Sequence, residues 1–339
     1  MKSKPILILA LFLATVAGSN LLNAQENCAL NLKRAQELFS IGQIEEIPAL
    51  IESCLQSGFT SEEKILAYKI LINAYVFDDN PEKAGVVMLG FLKKYPEYDV
   101  ISTDPSEFVN LMQQFDNRPR FSVGLTLGGT YSVIRVIDPV NTSPVSGNYG
   151  SYNSSSMGYH ASLMFIKNLN SKIELSIETD LKNTVFDQTL APNNFTSNSY
   201  YESQMIVSLP VSATYTFGKG KYTPYARLGF NTGLLISSGA RMITDPGTES
   251  PSLSNLDSRE SLSFYGVLGG GVKFKISKAY LFLDLRYNLA LANQVENSGR
   301  NRTNTDELWL YQSRDDNFYH DDLNFSLGFV RTLYQPRKK

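Results

Sequence analysis

The chain has 339 residues, 19% charged and 12% aromatic, with a formal net charge of -2. That length admits two domains, the composition excludes a disordered chain, and the near-balance of charge excludes a basic nucleic-acid-binding surface. Residues 1–24 read as a secretory signal: Lys2 and Lys4 precede an apolar run over 5–17, and a short segment ends at Asn23-Ala24. Cys28 follows the polar triplet Gln25-Glu26-Asn27, which makes a poor lipid-attachment signal. No other run reaches the ~18 apolar residues of a spanning helix, so a membrane crossing here would have to be made by strands.

Residues 25–117 carry five helical patterns. The first two, 29–40 and 44–56, join through Gly42, and Gly58 with Thr60 closes the second and opens a third over 61–77. A fourth over 81–94 starts at Asn80-Pro81, where proline suits the first helical turn. Asp104, Pro105 and Glu107 read as N-cap, first-turn proline and acidic third position of a fifth helix ending near Phe115. Cys28 and Cys54 fall at the ends of an antiparallel hairpin that meet, so they form either a disulfide or two buried thiols. The histidines, His160 and His320, both lie outside this segment, which argues against a metal site in it.

Tyr68, Leu71, Tyr75, Ala84 and Pro96 follow a large, large, aromatic, small, terminal-proline spacing, and the second helical pair resembles a tetratricopeptide repeat. Ile72 stands where that family usually has glycine. Ala35, Leu38, Gly42 and Ile51 make a degenerate first copy. The resemblance implies a helical-hairpin unit that binds a peptide or partner protein, the rival reading being a plug or stability cap. Two copies fall short of the three usually needed for a free-standing array, so the fifth helix is expected to cap the stack.

Residues 118–339 carry eight alternating stretches: 121–136, 158–167, 173–186, 199–217, 222–237, 260–276, 279–290 and 322–334. In 279–290, Leu281, Leu283, Leu285, Tyr287 and Leu289 fall on one face, and Phe282, Asp284, Arg286 and Asn288 on the other. The apolar row continues through Phe121, Val123, Leu125 and Leu127, then Tyr159, Ala161, Leu163 and Phe165. It runs on through Leu228, Phe230 and Leu234, and ends with Leu323, Phe325, Leu327 and Phe329. Short connections at 168–172, 218–221 and 277–278 alternate with long ones at 137–157, 187–198, 238–259 and 291–321. The fold class expected is therefore α + β multidomain: an all-α helical-hairpin domain, then an eight-stranded antiparallel transmembrane β-barrel, with both termini and the helical domain in the periplasm. A soluble barrel of the lipocalin kind would turn the apolar row inward. The leader, the glycine-rich polar inner rows and the loop asymmetry oppose it.

Glu174, Glu178, Asp180, Arg227, Asp284 and Arg286 fall on inward rows, and Gly124, Gly128, Gly229, Gly233, Gly269 and Gly271 leave room for them. Eight strands enclose a space that side chains can fill, which predicts a closed polar network; a narrow channel is the alternative. Pro210 cannot donate to a ladder and predicts a local bulge. The Leu209-Pro210-Val211 step, with Phe121-Ser122-Val123-Gly124, Gly128-Gly129 and the short turns, resembles the PorT-like outer-membrane barrels of the Bacteroidetes over 118–339. Some members of that family belong to the type IX secretion and gliding machinery, and the resemblance carries that setting only by analogy of fold.

His160-Ala161-Ser162 with Glu174 resembles the His-x-Ser and Glu arrangement of outer-membrane lipid A deacylases, which implies His160 as base, Ser162 as nucleophile and Glu174 as orienting acid. The apolar row turns His160 inward, away from lipid, and favours a structural polar cluster. Asp315, Asn317 and Asp321 approach a calcium-loop spacing, but His320 stands where glycine is needed and Ser326 where a bidentate glutamate is needed. Leu308, Trp309, Leu310 and Tyr311 form an apolar knot, read as an anchor at the membrane interface or a partner contact. The expectation is a non-enzymatic protein with no cofactor and no metal, bound to outer-membrane lipid. Through 25–117 it would reach a periplasmic or outer-membrane protein, as a scaffold or assembly component of an envelope complex. The alternatives are a small-solute channel or purely structural barrel, and a lipid A-modifying hydrolase.

Overall fold

The computed structural model describes residues 27–139, 151–153, 156–193, 196–218, 220–244, 248–249, 252–297 and 315–339. The leader and the Trp309 knot lie outside the described residues. The chain forms two compact units, Met1–Arg118 with Tyr334–Lys339, and Pro119–Leu333.

The first unit is built from α1 (27–40), α2 (Ile47–Gln56), α3 (Ser61–Phe77), α4 (Pro81–Lys94) and α5 (Ser106–Gln113). Gly42 makes the first turn at φ +80°, a left-handed conformation that a Cβ would strain. Thr60 and Glu63 form a reciprocal capping box at the start of α3, and Asn80 accepts the Lys83 N–H at the start of α4. Two expectations are corrected. Helix α2 begins at Ile47 rather than residue 44, because Pro48 sits in its first turn and sets the entry. Asp104 does not cap α5, whose N-cap is Pro105 with no side-chain bond. Its carboxylate instead accepts from the Tyr98 hydroxyl and the Ile101 N–H and pairs with Lys69. Helix α5 also stops short of Phe115, which enters a two-residue antiparallel pair: Phe115 lies opposite Lys338 and Asp116 opposite Arg337. Tyr334 is likewise part of this unit, its hydroxyl donating to Glu97 at 2.8 Å.

The second unit is one antiparallel sheet closed into a ring. Its long strands are β1 (Phe121–Asp138), β2 (Gly158–Asn168), β3 (Ile173–Asn193), β4 (Thr196–Thr216), β5 (Tyr222–Thr244), β6 (Leu262–Ile276), β7 (Ala279–Ala290) and β8 (Asn317–Leu333). Each pairs with its chain neighbours, and β8 pairs with β1, with Ser326 opposite Gly128, so the ring has no long free edge among the described residues. Leu127, Leu163, Leu228, Leu268, Leu283 and Leu327 point outward and are more than half exposed. Alternating positions on the same strands are buried and mostly polar. That inversion is the solution for a sheet surrounded by lipid.

Two more expectations change here. Residues 187–198 are largely a continuation of β3 and β4, with Gln188 opposite Tyr200 and Thr189 opposite Ser199, where a long loop was expected. Polar residues there read as loop because, among the described residues, that end of the strands carries few apolar outward positions. Strand β5 likewise runs on to Thr244 against β4, β6 starts at Leu262, and β8 starts five residues earlier than the pattern indicated. Pro210 produces no bulge: it stays in register opposite Asn231, and the shift against β5 lies between Met205 and Ile206. Towards β3 the proline leaves a gap, the pairing passing from Ile177 with Val211 to Asp180 with Ser208 at unchanged register.

Candidate functional site

The barrel interior is built in levels from the short-turn end upward. Lowest, the Lys273 ammonium on β6 donates to both Glu174 oxygens, at 2.6 and 2.7 Å, between the rings of Tyr225 and Tyr280. Met164, Ile166, Phe282 and Val330 pack beside it as an apolar layer. Above lies a denser knot: Arg227 donates to Glu178 at 2.6 Å and Arg286 donates to the same carboxylate at 3.0 Å. Arg286 also donates to Asp284 at 3.2 Å, and the Tyr225 hydroxyl donates to Asp284 as well. With two arginines against two carboxylates, each buried charge has an opposite neighbour, which a desolvated ion requires.

At the next level His160 spans three strands. From β2 its Nδ1 meets Asp180 on β3 at 3.2 Å, and its Nε2 meets the Ser326 hydroxyl on β8 at 2.9 Å. The ring passes over β1 at Gly128, where an added Cβ would come within 2.5 Å of Nε2. Ser162, on the same row as His160, pairs instead with Thr126, and Glu174 is held by Lys273. The His160, Ser162 and Glu174 trio therefore does not assemble. Higher still, the buried Lys182 donates to Asp322 with its ammonium over the Tyr265 ring, and Asn288 donates to the other Asp322 oxygen.

At the long-loop end Arg259, from the β5–β6 connection, folds into the interior. Its guanidinium reaches both oxygens of Glu202 on β4 and both oxygens of Asp315, at 2.7 and 3.0 Å for the aspartate. Phe186, Tyr200, Ala240, Met242, Val295 and Phe318 pack around it. Of the other two calcium-loop candidates, Asn317 accepts from the Asn293 amide at 3.1 Å, and Asp321 is bound by Arg135, the Tyr287 hydroxyl and the Ala290 N–H. Among the described residues no group of three or more His, Cys, Asp or Glu side chains converges as metal ligands would.

All six inward residues singled out from sequence do line the interior, but they do not form one network. Arg227, Arg286, Glu178 and Asp284 form one knot, Asp180 belongs to His160, and Glu174 to Lys273. The partners missed were Lys182, Glu202, Lys273, Asp322 and Arg259. The first four stand on inward rows, so strand parity alone could have found them. Arg259 sits in a connection with no period to read.

In the helical unit, the Tyr68 ring packs edge-on against Phe91, with centroids 5.6 Å apart, and Leu71 and Ala84 are fully buried in the same core as Ala35, Leu38 and Ile51. The Tyr75 hydroxyl donates to Glu52 at 2.6 Å; burial and that carboxylate push its pKa up to about 12. The Pro96 carbonyl accepts from the Asn117 amide. Cys28 and Cys54 are joined by a disulfide, Cα to Cα 5.7 Å, linking α1 to α2. Burial pushes the Asp104 carboxyl up, but Lys69, the Ile101 N–H and Tyr98 outweigh it and hold it below the usual carboxylate range.

A family model described as "Outer membrane protein beta-barrel domain" matches residues 112–296. Among solved structures, Neisserial surface protein A is 15% identical, covering 63% of this chain and 97% of its own, with a TM-score of 0.31. A major outer membrane protein from Thermus thermophilus is 11% identical, covering 63% and 99%, with a TM-score of 0.34. The outer membrane enzyme PagL is 13% identical, covering 62% and 99%, with a TM-score of 0.27. No curated protein sequence matches the chain.

Proposed function

This chain belongs to the outer membrane protein β-barrel family, and from that membership we propose that its eight-stranded barrel is a closed anchor holding a tetratricopeptide-like helical unit in the periplasm, where that unit binds a protein partner. The observation that carries the reading is the filled lumen. Among the described residues ion pairs cross the interior at successive levels, from Lys273 with Glu174 to Arg259 with Glu202, which supports a lumen filled by side chains. The working surface is then the helical unit, which has its own core and disulfide and leaves Leu30, Ile41, Phe77 and Val86 exposed. The chain enters β1 and leaves β8 at the end bearing the short turns, the end that faces the periplasm in outer-membrane barrels.

The protein is a scaffold or assembly component of an envelope complex. The Leu209-Pro210-Val211 step and the opening of β1 support a place among PorT-like barrels of the Bacteroidetes, and the type IX secretion machinery is the complex to test first. The test is cross-linking in native outer membrane, comparing the full chain with Val86→Asp and Phe77→Asp variants whose barrels still show heat-modifiable migration. Loss of specific partners in the variants is the expected result. Identical, sparse partner lists would overturn the scaffold, and steady conductance of the purified protein in planar bilayers would replace it with the channel. A hydrolase is disfavoured because Ser162 and Glu174 are each committed to partners other than His160.

A further inference from the structure

The two polar closures of the barrel differ in what holds them. The lower knot of Arg227, Arg286, Glu178 and Asp284 is made wholly of wall side chains on β3, β5 and β7. The upper closure is made by a connection folded into the mouth. Residues 252–260 contain one two-residue strand, Leu253–Ser254, and one short 3-10 turn, Leu256–Ser258. Few backbone bonds hold them: Leu253 and Ser254 lie opposite Ala240 and Gly239, Asn255 donates to the Ser238 carbonyl, and the 258–260 stretch bonds to Gln294 and Glu296. The wall strands beside it carry ladders of a dozen or more residue pairs.

Against that slight backbone hold stands one side chain. Arg259 is 2% exposed. Its Nε and Nη2 engage Glu202 of the wall, its Nη1 and Nη2 engage Asp315 of the β7–β8 connection, and Nη2 also reaches the Tyr200 hydroxyl at 3.3 Å. Asn255, from the same connection, donates to Tyr200 and Glu202 at 2.9 and 3.1 Å. Two bidentate carboxylate contacts on one guanidinium are a strong and directional fastening. Beneath it, both nitrogens of His320, Oε1 of Gln204 and Oγ1 of Thr184 are buried without a hydrogen-bond partner among the described residues. Such groups gain water when uncovered, which lowers the cost of opening.

We propose that residues 252–260 form a lid over the long-loop mouth, latched by Arg259 to Glu202 and Asp315, and that unlatching opens the upper lumen while the Arg227–Arg286 knot keeps the lower lumen sealed. The upper lumen is then a dead-end compartment entered past this lid. The cysteines present are joined to each other, so an introduced cysteine is a clean reporter.

The test uses purified full-length protein in detergent micelles, where both ends of the barrel meet solvent, and a sulfonated maleimide as probe. Thr184→Cys reports beneath the lid, and Ser176→Cys reports on the row below Glu178. With the latch intact both label slowly. Adding Arg259→Ala should speed labelling at position 184 at least tenfold and leave position 176 unchanged. Asp315→Asn, which keeps the wall contact, should give a smaller increase, and it decides the matter if Arg259→Ala fails to migrate as a folded barrel. Equal rates at position 184 with and without the latch would overturn the lid, and faster labelling at position 176 would overturn the dead end. Because both ends are accessible in micelles, the result does not depend on which side of the membrane the mouth faces.

Discussion

The helical unit and the barrel follow one physical rule and arrive at opposite arrangements. In the helical unit Leu71, Ala84, Met88 and Phe91 are completely buried, and charged residues lie mostly outside. In the barrel Glu178, Lys182, Glu202 and Arg259 are buried, while Leu163 is 68% exposed. Each unit hides whatever its surroundings solvate badly: apolar side chains from water, ions from lipid. Burial in this chain therefore reports the solvent as much as the fold. A barrel held by ion pairs also places its specificity in partner choice, whereas a helical core held by apolar contact places it in shape.

The contrast would be broken most severely by loss of one lumen cation. Arg286→Leu leaves Glu178 and Asp284 short of a partner, and should destabilise the barrel by about 3 to 5 kcal/mol in urea unfolding while the helical unit melts as before. Second comes the disulfide: Cys28→Ser with Cys54→Ser releases a loop of 26 residues' separation. It should cost the helical unit about 3.5 kcal/mol on the chain-entropy account, read from thermal melts with and without reductant. Third, Leu163→Arg places a charge on the outward row of β2, and refolding into bilayers should be disfavoured by about 2 to 4 kcal/mol if that row meets the lipid midplane. An unchanged value would mean that the row faces water.

Smaller still is the cap of α3, where Thr60→Ala removes one side of the capping box and should cost about 1 kcal/mol in the same melts. The last test is pH. Because its folded pKa is lowered, Asp104 contributes stability that is present above about pH 4 and is lost as the pH falls through the folded value. The helical unit should therefore lose melting temperature as the pH falls from about 5 to about 3, and Asp104→Asn should flatten that dependence.

Much of the fold was open to reading along the chain. The period-two rows put Leu125, Leu163, Leu283 and Leu327 outward and Glu178, Arg227 and Arg286 inward, and the pairing of β7 with β8 keeps Leu283 opposite Leu327. The helix starts at Thr60 and Asn80 were visible because caps are local. Strand ends were not: Gln188 and Tyr200 look like loop residues until they are seen opposite each other. Asp104 departs from its local pattern for a related reason. Its spacing to Pro105 suits a cap, but Lys69, far earlier in the chain, draws it elsewhere.

The order of residues settled which face of each strand is polar and which apolar, and where most helices begin, because alternation and capping depend on residues only a few positions apart. Tertiary structure alone decided which groups pair inside the barrel. Closing the ring sets Glu178 of β3 against Arg227 of β5 and Arg286 of β7, carries His160 across Gly128 to Ser326, and folds Arg259 down to Glu202. The charges on the inward rows admit many neutralising pairings, and only the geometry of closure selects one.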